Sequence, residues 1–289
     1  GLMISDFRCT FDNAIGISPE ITKDLKLSFP DAYMHADTMA KIAHAMKQKE
    51  GAAFCMLPFC HTVEAEAMGG IVNMGDGNLG PRAKEYCCTS AAELLELPEI
   101  DYSKGRIYEV LEACQRLREQ GEHVALMVSG PFTIFNVLID PKYVFKAMRK
   151  QPELMQDIFQ RIERELLTYI KIAVEYGVDM ISYADSSGGV NILGPKMAEQ
   201  VVMDFTYDFL KKAIELLDGK AMLLLCPKTT LALIGTEKAC YMDRELPEVM
   251  RYGEACISLI GQVPVAGQMC IKNIDYQLEN KKFREIRLY

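Results

Sequence analysis

The chain has 289 residues, with 40 acidic against 32 basic side chains and a formal charge of −8. It is long enough to bury a large core, and its charge has the wrong sign for a general nucleic-acid or anionic-membrane binder. Its apolar runs are of strand length, which excludes a membrane-spanning helix, and Gly1-Leu2 reads as an internal start with no signal peptide. Ten cysteines at scattered spacings fit a reducing cytoplasm, and 17 Met with no Trp point to a methionine-filled core ahead of a methionine-lined cofactor pocket.

In chain order, strands and helices alternate. Residues 2–6 are expected to form a first strand, followed by a loop containing Asn13, Gly16 and Pro19. Asp37 can cap a helix to about Lys49, with Met39, Ile42, Ala43 and Met46 on one face. The apolar run 52–57 reads as a buried strand that hands over to PFCHTVEAEAMGG, residues 58–70, and a short helix. A brief β-like run at 71–74 precedes a loop at 75–81. Ser90 caps a short helix, and a longer one at 105–120 is closed by Gly121. Residues 124–128 read as a strand ended by Ser129-Gly130-Pro131. Helices follow at 141–149 and 152–176, the second with Leu154, Ile158, Ile162, Leu166, Ile170 and Ala173 in helical rhythm. Residues 178–183 form a buried strand ending at Asp185, and Pro195 opens a helix to Leu217. A strand at 221–225 stops at Cys226-Pro227, another is expected at 257–260, and 276–289 is expected to be a terminal hairpin.

This rhythm, strand and helix at intervals of about 40 residues, belongs to a barrel or a doubly wound sheet. No G-x-G-x-x-G follows the first strand, so the expectation is an α/β fold of the TIM-type (β/α)8 kind with a modified last unit and a C-terminal hairpin. Without a repeat or linker it reads as one domain over residues 1–289. The strand ends would then share one rim, which gathers Cys60, His61, Glu64, Glu66, Asp185 and Cys226. Glu64 and Glu66 stand two apart, about 200° around a helix, and cannot both face the mouth. Glu64 either orients a ligand or is held by the helix dipole, worth roughly 0.3–1 kcal/mol. His61 is a ligand or proton carrier, or caps the helix. Asp185 ends a buried strand, where a carboxylate needs a metal, a cation or backbone donors.

The blocks FPDAYMHADTMAKIA, LPFCHTVEAEAMGGIVNMG, SGPFT, and GVDMISYADSSGG with LGPKMAEQVV resemble successive blocks of the uroporphyrinogen decarboxylase superfamily. Within it they resemble the methylcobamide:coenzyme M methyltransferase branch, through residues 2–226 and more thinly 239–263. The resemblance implies a TIM-type barrel with its site at the C-terminal mouth. It also implies a zinc-activated thiol, or related acceptor, that attacks the methyl group of a corrinoid carried by a partner protein. Family zinc ligands are a His-x-Cys pair and a later Cys. Here Cys226 matches, Leu224 stands in the His position, Pro227-Lys228 replaces a glycine-containing continuation, and Cys270 is left as the final thiolate. A buried free thiol is the alternative reading of Cys226. The implied roles are catalytic for Asp185, Glu64 and His61, substrate-binding for Glu66 and Cys60, and metal-binding for Cys226 and Cys270. A second reading, favoured by Leu224, is a member that binds a corrinoid protein or small ligand without zinc. A third, porphyrinogen decarboxylation, is disfavoured because the family's Arg-rich N-terminal segment is reduced here to Arg8 within the first 80 residues.

Overall fold

The computed structural model describes residues 2–11 and 16–289. Its strands are β1 (Cys55–Leu57), β2 (Ile71–Asn73), β3 (Arg82–Glu85), β4 (Val124–Ser129), β5 (Met180–Ala184), β6 (Met222–Leu225), β7 (Ala239–Glu245), β8 (Val265–Ala266) and β9 (Lys282–Leu288). The helices are α1 (Pro19–Thr22), α2 (Ala36–Glu50), α3 (Val63–Ala67), α4 (Gly105–Glu119), α5 (Pro131–Leu138), α6 (Pro141–Lys150), α7 (Pro152–Glu175), α8 (Val190–Leu193), α9 (Pro195–Val201), α10 (Tyr207–Leu217), α11 (Pro227–Gly235) and α12 (Tyr252–Ser258). The strands β2 and β3 pair as a separate antiparallel ribbon, and the others form one sheet in the order β1-β4-β5-β6-β8-β9-β7.

Five of these strands run parallel, in a register set by pairs such as Met56 with Ala125, Ile181 with Leu223 and Leu224 with Ala266. Their residues are apolar on both faces because both faces are covered. Leu126, Val128, Ile181, Tyr183, Leu223 and Leu225 turn outward to the helices, in a core shared with α4, α7 and α10. Ala125, Met180, Met222, Leu224 and Ala266 turn inward, where Tyr252, Cys256, Leu278 and Phe283 fill the concave side. The C-terminal part of the chain thus plugs the interior and leaves the strand ends as the open surface.

The last unit is where sequence and structure part. The tail is not a local hairpin: β9 pairs antiparallel with β7, from Ala239 with Leu288 to Glu245 with Lys282. Residues 257–260 form no strand. Ala255, Cys256 and Leu259 recur at helical spacing and are buried, so α12 and its closing turn take the segment, and the strand falls later, at β8. Among the described residues no ladder joins β7 to β1, so the sheet is not a closed ring of eight. The free edge of β1 is covered instead by 271–274, where Ile271, Asn273 and Ile274 share a small cavity with Ala53, Phe54 and Met56. Arg251 fastens this cover by donating to the carbonyls of Gly51 (2.6 Å) and Ile274 (3.4 Å).

Smaller departures follow local chemistry. Residues 2–6 form no strand, Pro19 begins α1, and Asn13 lies outside the described residues. His35 rather than Asp37 occupies the cap of α2, leaving Asp37 in the first turn, where it faces the dipole and pairs with Lys41 at 3.1 Å. The path from Pro195 to Leu217 is helical throughout but loosens to a π segment at Val202–Thr206. Among the described residues no helix is long and apolar enough to cross a membrane.

Candidate active site at the strand ends

The parallel strands place their C-terminal neighbours on one rim: 58–61 after β1, Gly130 after β4, Asp185 after β5, Cys226 after β6 and 267–270 after β8. Beside them lies a cavity of about 600 Å³, walled by Ile17, Ile21, Met46, Met56, Phe59 and Met127, with Thr10, Ser18, Glu50, Cys60, His61 and Lys272 as polar members. Burial, with Lys272 nearby, lowers the His61 pKa to about 4, so its ring is neutral at pH 7 and can accept a hydrogen bond at one nitrogen.

Arg106, in the first turn of α4, organises the loop that carries His61. This buried guanidinium donates to Cys60 Sγ at 3.1 Å, Thr62 Oγ1 at 2.6 Å and Glu66 Oε1 at 3.0 Å. Glu66 is therefore bound to the loop's anchor rather than aimed at the mouth. A basic residue at the start of a helix opposes the dipole, and this helix has no acid in its first turn. That local inconsistency was the available signal for Arg106, which sequence reasoning passed over.

The two remaining carboxylates are also spoken for. Glu64 is buried in α3 and its Oε2 accepts from Ser129 N at 2.6 Å, tying the helix to the end of β4. Burial raises its pKa to about 7, against the pull of the Ser129 bond and of Arg106. Asp185 meets backbone donors rather than a cation. Its Oδ1 accepts from Thr133 N and Oγ1, both at 2.8 Å, and its Oδ2 from Phe132 N at 3.2 Å. Desolvation raises its pKa, with those bonds pulling the other way. Asp185 thus caps α5 from across the sheet, a helix with no cap of its own. Gly130 makes the approach possible: a Cβ there would stand 2.4 Å from both Asp185 Cβ and Tyr183 Oη.

Cys226 and Cys270, distant in sequence, come together because β6 and β8 are adjacent. Thr230 Oγ1 closes the junction, donating to Gly267 O at 2.7 Å. Burial pushes the Cys226 thiol up to about 11, with Cys270 and Cys9 adding to the rise. Burial also raises Cys270, while Lys272 works in the opposite direction. The expected zinc site does not fit these residues. Leu224, in the family's His position, is fully buried among Met222, Ala266 and Phe283. Among the described residues no group of three or more His, Cys, Asp or Glu side chains is arranged to hold a metal ion.

A mostly parallel α/β sheet with its polar and thiol groups gathered at the strand ends is consistent with a TIM-type fold. The chain belongs to the uroporphyrinogen decarboxylase (URO-D) family, whose profile matches residues 19–241. It is 28% identical over 217 residues to the methylcobamide:CoM methyltransferase MtaA of Methanosarcina barkeri, covering 74% of this chain and 63% of that protein. It is 25% identical over 171 residues to the uroporphyrinogen decarboxylase of Myxococcus xanthus, covering 56% and 48% respectively. A solved methyltransferase from Methanosarcina mazei shares the fold, with a TM-score of 0.64 at 24% identity over 77% of this chain and 66% of that one. The chain therefore spans less than two thirds of the length of the curated relatives it matches.

Proposed function

We propose that this chain works in corrinoid-dependent methyl transfer, with a methylated corrinoid presented at the mouth by a partner protein and a thiol or related small acceptor held in the cavity. The observation that carries this reading is that the stretch PFCHTVEAEAMG, on which the likeness to the methyltransferase branch rests, supplies Pro58, Phe59, Cys60 and His61 to the cavity wall. Bound at the mouth, the corrinoid supplies the methyl group. The chain's own residues prepare the acceptor. The Met and Phe wall excludes water and strengthens every electrostatic contact inside. Neutral His61 can accept a hydrogen bond from the acceptor, whose proton leaves to solvent because a ring held near pKa 4 is too weak a base to keep it, and the Lys272 charge favours an acceptor that becomes anionic. Arg106 holds the loop that presents His61, while Glu64 and Asp185 keep the rim in shape beneath it. No step runs through zinc.

The test is to incubate the purified chain with methylcobalamin and a panel of small thiols, following the corrinoid spectrum and the S-methyl product by mass spectrometry. Thiol-dependent demethylation that falls at least tenfold in His61→Gln is the expected result. A second reading, in which the chain binds corrinoid protein or a small ligand without transferring a methyl group, is favoured by Leu224. Corrinoid binding without product would establish that reading and end the first.

A further inference from the structure

Residues 2–11 have no strand or helix of their own, yet they touch both α11, which follows β6, and the cavity beside β1. Three separate contacts fix the path. At one end the chain presses on the last turn of α11, where a Cβ on Gly235 would stand 2.2 Å from Met3 O and 2.8 Å from Ile4 Cα. In the middle, Lys228 Nζ donates to Asp6 Oδ1 at 2.9 Å and to Asn191 Oδ1 at 3.2 Å, with the Lys228 side chain only 10% exposed. At the far end Thr10 and Phe11 form part of the cavity wall together with Lys272. Cys226 lies two residues before Lys228 and Cys270 two before Lys272, so both sulfurs belong to the segments that the two ends of this stretch touch. The charge coupling of Cys9 to Cys226 and Cys270 agrees with that placement. An extended stretch from Met3 to Phe11 reaches roughly 26 Å at about 3.3 Å per residue, enough to cross such a mouth.

We propose that residues 2–11 are a strap that closes the mouth, latched by the Asp6–Lys228 ion pair, and that its release governs access to Cys226 and Cys270. The strap is built for release. It has no backbone ladder, most of its side chains are exposed, and its latch is an ion pair whose Asp6 side is 43% exposed and therefore sensitive to salt. The proposal does not depend on what reaction the mouth performs.

The experiment is pulsed N-ethylmaleimide labelling of the reduced full chain, read cysteine by cysteine by peptide mass spectrometry. Asp6→Asn should raise the labelling rates of Cys226 and Cys270 by roughly two- to fivefold, the scale of an exposed ion pair. Added sodium chloride should produce the same rise in the wild type and little in the variant. Gly235→Ala, which displaces Met3 without touching the latch, should act in the same direction. Cys87, beside Leu138 at a distance from the strap, is the internal control and should not change. Unchanged rates at Cys226 and Cys270 in both variants would overturn the proposal, and so would a parallel rise at Cys87, which would mean general loosening.

Discussion

Glu64 is the residue whose chemistry is most exposed to test. Its carboxyl is held near pKa 7 in the folded chain against an ordinary value of 4.5, with burial as the cause. An acid raised in this way contributes stability that is full below about pH 4.5, where both folded and unfolded forms are protonated. The contribution is lost as pH rises through 7, because the unfolded chain gives up its proton first. Between those limits the wild type should lose about 3 kcal/mol relative to Glu64→Gln, which can still accept from Ser129 N. Urea unfolding of both proteins from pH 4.5 to 8 measures the difference, and parallel curves would contradict the assignment. Leu224 supports a second prediction at this scale. With an apolar side chain where the family places a ligand, the purified chain should retain no more zinc than its Cys226→Ser variant. One zinc per wild-type chain, absent from the variant, would show that the rim rearranges to build a metal site.

At the scale of elements, the contact between Asp185 and α5 joins two sequence blocks that looked unrelated. The glycine of SGPFT admits the aspartate of ADSS, and that aspartate satisfies the backbone N–H groups of the PFT turn. Asp185→Ala should cost about 2 kcal/mol by leaving those donors without their acceptor, as judged from the urea midpoint at unchanged slope. Gly130→Ala should cost at least as much, since its Cβ would overlap both Asp185 and Tyr183. A neutral result for both would mean that α5 does not need this cap. The helix itself was invisible to periodicity because PFTIFNVL is apolar nearly all round, seven of its eight residues being buried. The parallel strands β1, β4, β5 and β6 were legible for the opposite reason: each is a short apolar run bounded by Gly, Pro or a polar stop, whereas the two-residue β8 is too short to show one. The sequence of β7, ACYMDRE, has neither signature. Its partner lies some 40 residues downstream, so no local turn announced the pairing.

For the whole molecule, the rim was readable and its details were not. Alternation of strands and helices fixes which residues follow the strand ends, so Cys60, His61, Asp185 and Cys226 could be named in advance. Side-chain partners depend on elements brought together by the fold, and these remained hidden: Arg106 from α4, Lys272 from the cover over β1, and Cys270 beside Cys226 through β8. The antiparallel β7 and β9 and the plugged interior replace the regular closure expected from the alternation of strands and helices, and they confine the open chemistry to one end.

That confinement is the claim on which the account stands, and chemical cross-linking tests it most directly. Treated with a short bis-maleimide under native conditions, the reduced chain should yield a Cys226–Cys270 bridged peptide as its main product between cysteines distant in sequence, apart from bridges to Cys9, and lose it on mild unfolding before labelling. A native chain that bridges Cys226 to a cysteine other than Cys9 and never to Cys270 would contradict it.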